Sequence, residues 1–165
     1  MVAAGFFRDE RVELIRGVVI EMSPQNAPHA DVIQALNELL LPRLVGRAGV
    51  RVQLPFAAGD DSLPEPDLSV VAPGRHKNAH PDQAFLIIEV ADLSLKLDRQ
   101  EKAELYAHAG VPEYWVVNVA DRIIERHSEP AGGTYARVTP FRSGETVSPL
   151  AFPDVALRVD DVFGG

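Results

Sequence analysis

At 165 residues, 46% hydrophobic and 24% charged, the chain has the length and composition of a single globular domain, residues 1–165, able to bury a core without disulfides or a structural metal. Its net charge of -8 excludes sequence-blind coating of nucleic acid by charge alone, because such binding needs Lys and Arg in excess to displace the counterions of the phosphates. The absence of cysteine excludes a disulfide framework, thiolate catalysis and Cys-based zinc sites.

The opening MVAAGFFRDE lacks a basic stretch followed by an apolar signal core, and no apolar run nears the roughly 20 residues of a membrane-spanning helix, so a cytoplasmic protein free of the membrane is expected. VELIRGVVIEM reads as a hairpin turning at Arg16-Gly17. Beyond the break at Ser23-Pro24, the spacing of Ile33, Leu36, Leu40 and Leu44 predicts a helix that ends near Gly46. Strands are predicted over residues 50–56, 68–72 and 85–90, the last almost wholly apolar, as in a central strand covered on both faces. A helix is predicted over 98–109, with Asp98 as N-cap, Glu101 completing a capping box and Gly110 as the stop. Strands follow over 113–119, 123–127 and 135–141, the last two joined by a turn in EPAGGT, and the tail is broken by proline. This order predicts a mixed α/β or α+β sheet with helices packed against it.

Two of these strands carry acids where apolar residues would be expected. Asp67 follows Pro66 at the start of one, and Glu89 ends FLIIE in another. A carboxylate buried without a partner is costly, so two such acids meeting in one sheet call for a cation. Mg²⁺ or Mn²⁺ fits, since a hard divalent ion takes one or two carboxylates and keeps water and phosphate oxygens as its other ligands. Lys102, in the first turn of the second helix, sits where the helix dipole disfavours a cation unless an anion is near, and Glu89 or a bound phosphate would supply that anion. The plainer alternatives are a strand start, a solvated strand end and a surface lysine paired on its own helix.

PEPDLSVV and FLIIEVADLSLKLDRQEKAELYAHAGVPEYWVVN, with VELIRGVVIEMSP and His29 upstream, resemble the Uma family of bacterial candidate endonucleases, similar in fold to PD-(D/E)XK restriction endonucleases. The resemblance implies a restriction endonuclease-like αβββαβ core with an N-terminal hairpin and extra C-terminal strands. It implies Asp67 and Glu89 as the catalytic acids and metal ligands. The lysine usual two residues after the second acid is missing, since that position is Ala91. Lys102, in a D-x-x-x-K pattern with Asp98, matches a lysine moved onto the following helix, and Lys96 in the connecting loop is the second choice.

Around this trio the sequence offers lesser candidates. His29 opens the first helix beside Asn26, Asp92 and Ser94 occupy the strand-to-helix turn, and Tyr106 lies one turn after Lys102, where packing is the expected role. His76 and His80 have a ligand-like spacing but fall in a loop, and Tyr114 and Trp115 read as core. Arg75, Lys77 and Arg99 flank the acids in sequence and are expected to contact a phosphate backbone. The expected function is hydrolysis of phosphodiester bonds in nucleic acid, DNA before RNA, by a Mg²⁺- or Mn²⁺-dependent endonuclease. The alternative is a catalytically weak or inactive nuclease-fold protein that binds nucleic acid or protein, as a homodimer.

Overall fold

The structure is a computed structural model that describes residues 11–22, 25–92 and 94–165; the predicted break at Ser23-Pro24 lies outside them. Strands β1 (Val12–Ile15) and β2 (Val18–Glu21) form the expected hairpin. Its turn residues Arg16 and Gly17 both have positive φ, 50° and 80°, as a two-residue turn matched to strand twist requires. Helix α1 (Ala27–Leu44) is capped by the Asn26 side chain, which accepts a hydrogen bond from the His29 backbone N–H at 2.9 Å. Its buried face is Val32, Ile33, Leu36, Leu40 and Leu44, the stripe read from the sequence.

The main sheet has six strands in the order β3 (Gly49–Val52), β4 (Leu68–Val71), β5 (Leu86–Ala91), β6 (Glu113–Asn118), β7 (Ile123–Ala131) and β8 (Thr134–Phe141). All neighbours are antiparallel except β5 and β6, whose parallel pairing requires a crossover. The helical part of that crossover is continuous: α2 (Leu95–Leu97), a π-helical turn (Asp98–Lys102) and α3 (Ala103–His108) run on from one another. A short pair, β9 (Thr146–Val147) and β10 (Leu157–Arg158), leads into α4 (Val159–Phe163). From α1 to β6 the order is αβββαβ, the restriction endonuclease-like core, with the hairpin before it and further strands after it.

Side-chain alternation along the strands splits the core in two. Leu68, Val70, Leu86, Ile88 and Val90 pack with α1, α4 and Trp115 on one side. Ile87, Ala91, Tyr114 and Val116 pack with Ala103, Leu105, Tyr106, Phe56 and Ile15 on the other. Glu89, between Ile87 and Ala91, therefore projects toward the side of the crossover helix.

Three expectations are corrected. The strand over 50–56 stops at Val52, because Gln53 takes φ 53° and leaves the sheet. β7 runs to Ala131, so most of EPAGGT is strand and only Gly132-Gly133, with φ 62° and 82°, makes the turn. Asp98 is not an N-cap: the crossover helix begins earlier, at Leu95, and the Asp98 backbone N–H already donates to Ser94 O at 2.9 Å. An acid beside a helical pattern resembles a cap in the sequence, whereas this one is buried inside the helix, 2% exposed.

Candidate active site

The sheet register brings the two strand acids together. β4 and β5 pair with Leu68 opposite Ile88, and one step further along that register sets Asp67 opposite Glu89. Both are buried, at 5% and 3% exposure. Asp67 Oδ2 accepts the Val90 backbone N–H at 2.8 Å, so the acid that immediately precedes β4 is fixed to the backbone of β5 just after Glu89. Glu89 Oε2 accepts from Lys102 Nζ at 3.0 Å and from the Tyr106 hydroxyl at 2.8 Å.

Lys102 is buried at 4% exposure among carboxylates from three parts of the chain. Besides Glu89, its ammonium donates to Glu13 Oε1 at 3.1 Å, and Asp98 Oδ1 lies 3.9 Å away. Burial pulls the lysine pKa down, but the charges of Glu89, Glu13 and Asp98 outweigh it and hold the group above its usual value. Burial pushes the Glu89 carboxyl well above the usual range, with Lys102 only partly offsetting, and pushes Asp98 up to about 6. All three directions express one imbalance: more acids converge here than one ammonium neutralises. Tyr106 is likewise driven upward by its burial and by Glu89, so it stays a neutral donor.

These groups line a cavity of about 360 Å³ between the hairpin, the start of α1 and the crossover helix. His29 reaches into it from α1; its Nε2 lies 2.7 Å from Val90 O and 3.5 Å from Asp67 Oδ2, and the bond to Asp67 raises its pKa. Asn26 and Asp92 join across the mouth, Asn26 Nδ2 donating to Asp92 Oδ2 at 2.6 Å. Ser94 Oγ donates to Asp98 Oδ2 at 2.7 Å. Asp67, Glu89, Lys102, His29, Asp92 and Asp98 are all in the lining, while Tyr106 meets the site from beneath, through Glu89. Tyr106 also packs against Phe56 and Tyr114, so packing describes half of what it does.

Other candidates lie elsewhere. Lys96 is exposed and outside the lining, as are Arg75 and Lys77 in the loop between β4 and β5. Arg99 forks onto Glu125 of β7. His76 and His80 stay in that same loop, and Tyr114 and Trp115 are wholly buried. Sequence reading missed Glu13, 4% exposed on β1, although an acid inside VELI is the same signal that marked Glu89 in FLIIE.

Among the described residues no three His, Cys, Asp or Glu side chains form a ready-made metal cluster. A hard divalent ion needs fewer protein ligands than that, since one or two carboxylates suffice when waters and phosphate oxygens complete the shell. Asp67 and Glu89 meet the requirement: each has one oxygen committed, while Asp67 Oδ1 and Glu89 Oε1 accept no hydrogen bond from the described residues. The donor set is all oxygen and suits Mg²⁺ or Mn²⁺ over Zn²⁺. Six acids line the cavity against Arg11 and Lys102 as fixed cations, so a phosphate entering it needs further positive charge.

A crystal structure described as "a putative nuclease belonging to DUF820", from Anabaena variabilis, superposes with a TM-score of 0.73 at 16% identity, over 93% of this chain and 89% of that one. At that identity the likeness is one of fold. No curated protein matches the chain. The Uma2 family, described as "Putative restriction endonuclease", matches residues 3–160, nearly the whole length, and the chain belongs to that family.

Proposed function

We propose that the protein is a Mg²⁺- or Mn²⁺-dependent endonuclease that hydrolyses phosphodiester bonds in nucleic acid, with DNA as the first substrate to test. Family membership supports a nuclease-type function. The observation that carries the finer reading is the meeting of Asp67 and Glu89 in one cavity, each with a free oxygen, beside the buried ammonium of Lys102.

Asp67 and Glu89 would hold the ion. When bound, it supplies polarisation of the phosphodiester and a lowered pKa for an attacking water. Val90 N–H and Tyr106 orient the two carboxylates by occupying their other oxygens. Lys102 stays protonated at neutral pH and so acts as a fixed positive charge for the developing phosphorane oxygens, not as a base. Arg75 and Lys77, exposed beside the sheet, are the proposed backbone contacts; Arg99 is already occupied by Glu125.

The test is calorimetric titration of Mn²⁺ into the wild type, Asp67→Asn and Glu89→Gln, followed by nicking of supercoiled plasmid in Mn²⁺. Saturable binding weakened about tenfold or more by either substitution is expected, since even the loss of a group that only orients a ligand costs about 10–100-fold. Wild type that neither binds Mn²⁺ nor nicks DNA would overturn the proposal. One observation favours a second reading, a nucleic-acid- or protein-binding module without strong catalysis: Lys102 already neutralises part of the acid cluster that the ion would occupy. Binding of DNA with no nicking at any divalent concentration would select it.

A further inference from the structure

We propose that Glu13, on the N-terminal hairpin, is a positioning residue that fixes the rotation of the Lys102 ammonium and leaves one of its N–H groups for a substrate phosphoryl oxygen. The inference rests on Lys102 working with Asp67 and Glu89 as described above.

An ammonium has three donors and no preferred direction of its own. Here two are spoken for: Glu13 Oε1 at 3.1 Å and Glu89 Oε2 at 3.0 Å. The third carboxylate, Asp98, is 3.9 Å away, beyond hydrogen-bond range, and its Oδ2 is taken by Ser94. Two acceptors on separate elements fix the rotor, and among the described residues the third donor has no acceptor in the cavity that Lys102 lines.

Glu13 is suited to this because its own position is over-determined. Its Oε1 also accepts the Glu65 backbone N–H at 3.0 Å. The hairpin is tied to the same loop by Gly17 N to Asp61 O at 2.8 Å, Leu63 N to Leu14 O at 2.6 Å, and Arg16 N to Ser62 Oγ at 2.9 Å. Glu13 shares a face of β1 with Ile15, which is packed in the core beside Tyr106, so strand alternation alone turns the carboxylate inward. Nothing in the hairpin needs an acid at that position for its own pairing, and among the described residues its one side-chain partner is the lysine.

The chain has three lysines, Lys77, Lys96 and Lys102, and only the last is buried, so ¹⁵N-lysine labelling resolves it. In the wild type one slowly exchanging ¹H–¹⁵Nζ ammonium signal is expected, absent in Lys102→Met. Glu13→Ala should lose that signal while the backbone amide spectrum keeps the fold. Glu13→Gln, which retains an acceptor oxygen and guards against misfolding of the alanine variant, should keep the signal at a displaced shift. No slow signal in the wild type, or signals in both folded variants coincident with it, would overturn the proposal. Mn²⁺ titration separates positioning from ligation: Glu13→Gln should lose less affinity than Glu89→Gln, and a loss equal to or greater than that of Glu89→Gln would make Glu13 a metal ligand and overturn the assignment. A wild type that shows the ammonium signal but binds no Mn²⁺ sinks the metal-dependent reading and leaves the Glu13 contact standing.

Discussion

Replacing Lys102 by methionine keeps the length of the side chain and removes its charge, which isolates what the ammonium does for the fold. Glu13, Glu89 and Asp98, at 4%, 3% and 2% exposure, would then lack their shared cation. Removing one partner from a buried ion pair costs about 3–5 kcal/mol, a large part of the roughly 5–15 kcal/mol that holds a domain together. The sign with pH follows from the acids. Glu89 and Asp98 already favour the protonated form in the fold, and losing Lys102 raises both further. Folding of the variant would thus take up protons, so its deficit is largest at alkaline pH, shrinks as pH falls through the raised values, and closes near pH 4. Urea unfolding followed by the single, wholly buried Trp115 measures this at each pH. Lys96→Met, at an exposed position, should stay within about 0.5 kcal/mol of wild type throughout. A deficit for Lys102→Met below about 1 kcal/mol, or one that does not change with pH, would refute the charge-balancing role, since a buried pair broken on one side should cost several times that.

Asp98 offers a second pH test. Its carboxyl is pushed by burial from 3.8 to about 6, so its stabilising contribution is complete below pH 4 and is lost as pH rises through 6. Relative to Asp98→Asn, the wild type should lose up to about 3 kcal/mol between pH 4 and pH 7, and parallel stability curves for the two would contradict this. The lysine position can also be exchanged. Ala91 is wholly buried on the face of β5 shared with Glu89, so Ala91→Lys alone overfills the packing with Ala103 and Tyr106. In the double variant Ala91→Lys with Lys102→Ala, space and charge compensate, and its thermal midpoint should exceed that of Ala91→Lys alone; a lower midpoint would show that position 91 does not open onto the site.

The acids of the sheet were legible because an ionisable residue at the end of an apolar run violates the pattern around it. Asp67 beside Pro66 and Glu89 after Phe85-Leu86-Ile87-Ile88 both stand out in this way, and antiparallel register then suffices to pair them. Lys102 lies well inside the helix, which starts at Leu95, so the dipole at a first turn does not bear on it; the D-x-x-x-K pattern with Asp98, carried by the family resemblance, is what singled it out. Asp98 was misjudged because a cap and a buried helical acid look alike until burial is known. Glu13 carries the same mark, an acid inside the apolar VELI, but a hairpin strand with one face in water accommodates an acid by alternation, so the mark alone does not separate a buried acid from an exposed one. Arg99 illustrates a limit of another kind: its partner Glu125 is 26 residues away, and closeness in sequence to the acids said nothing about which face of the helix it occupies.

The way Asp67 and Glu89 are held differs from the way Lys102 is held, and this bears on how such a site can change over generations. The acids belong to adjacent strands whose pairing sets their separation, so moving either means breaking the sheet. The lysine arrives by the length of its side chain from a helix, and any neighbouring backbone position of similar reach would deliver the same charge. Drift should therefore leave the two carboxylates where they are and let the cation relocate, with Ala91, on the Glu89 face of β5, one address from which it could be delivered.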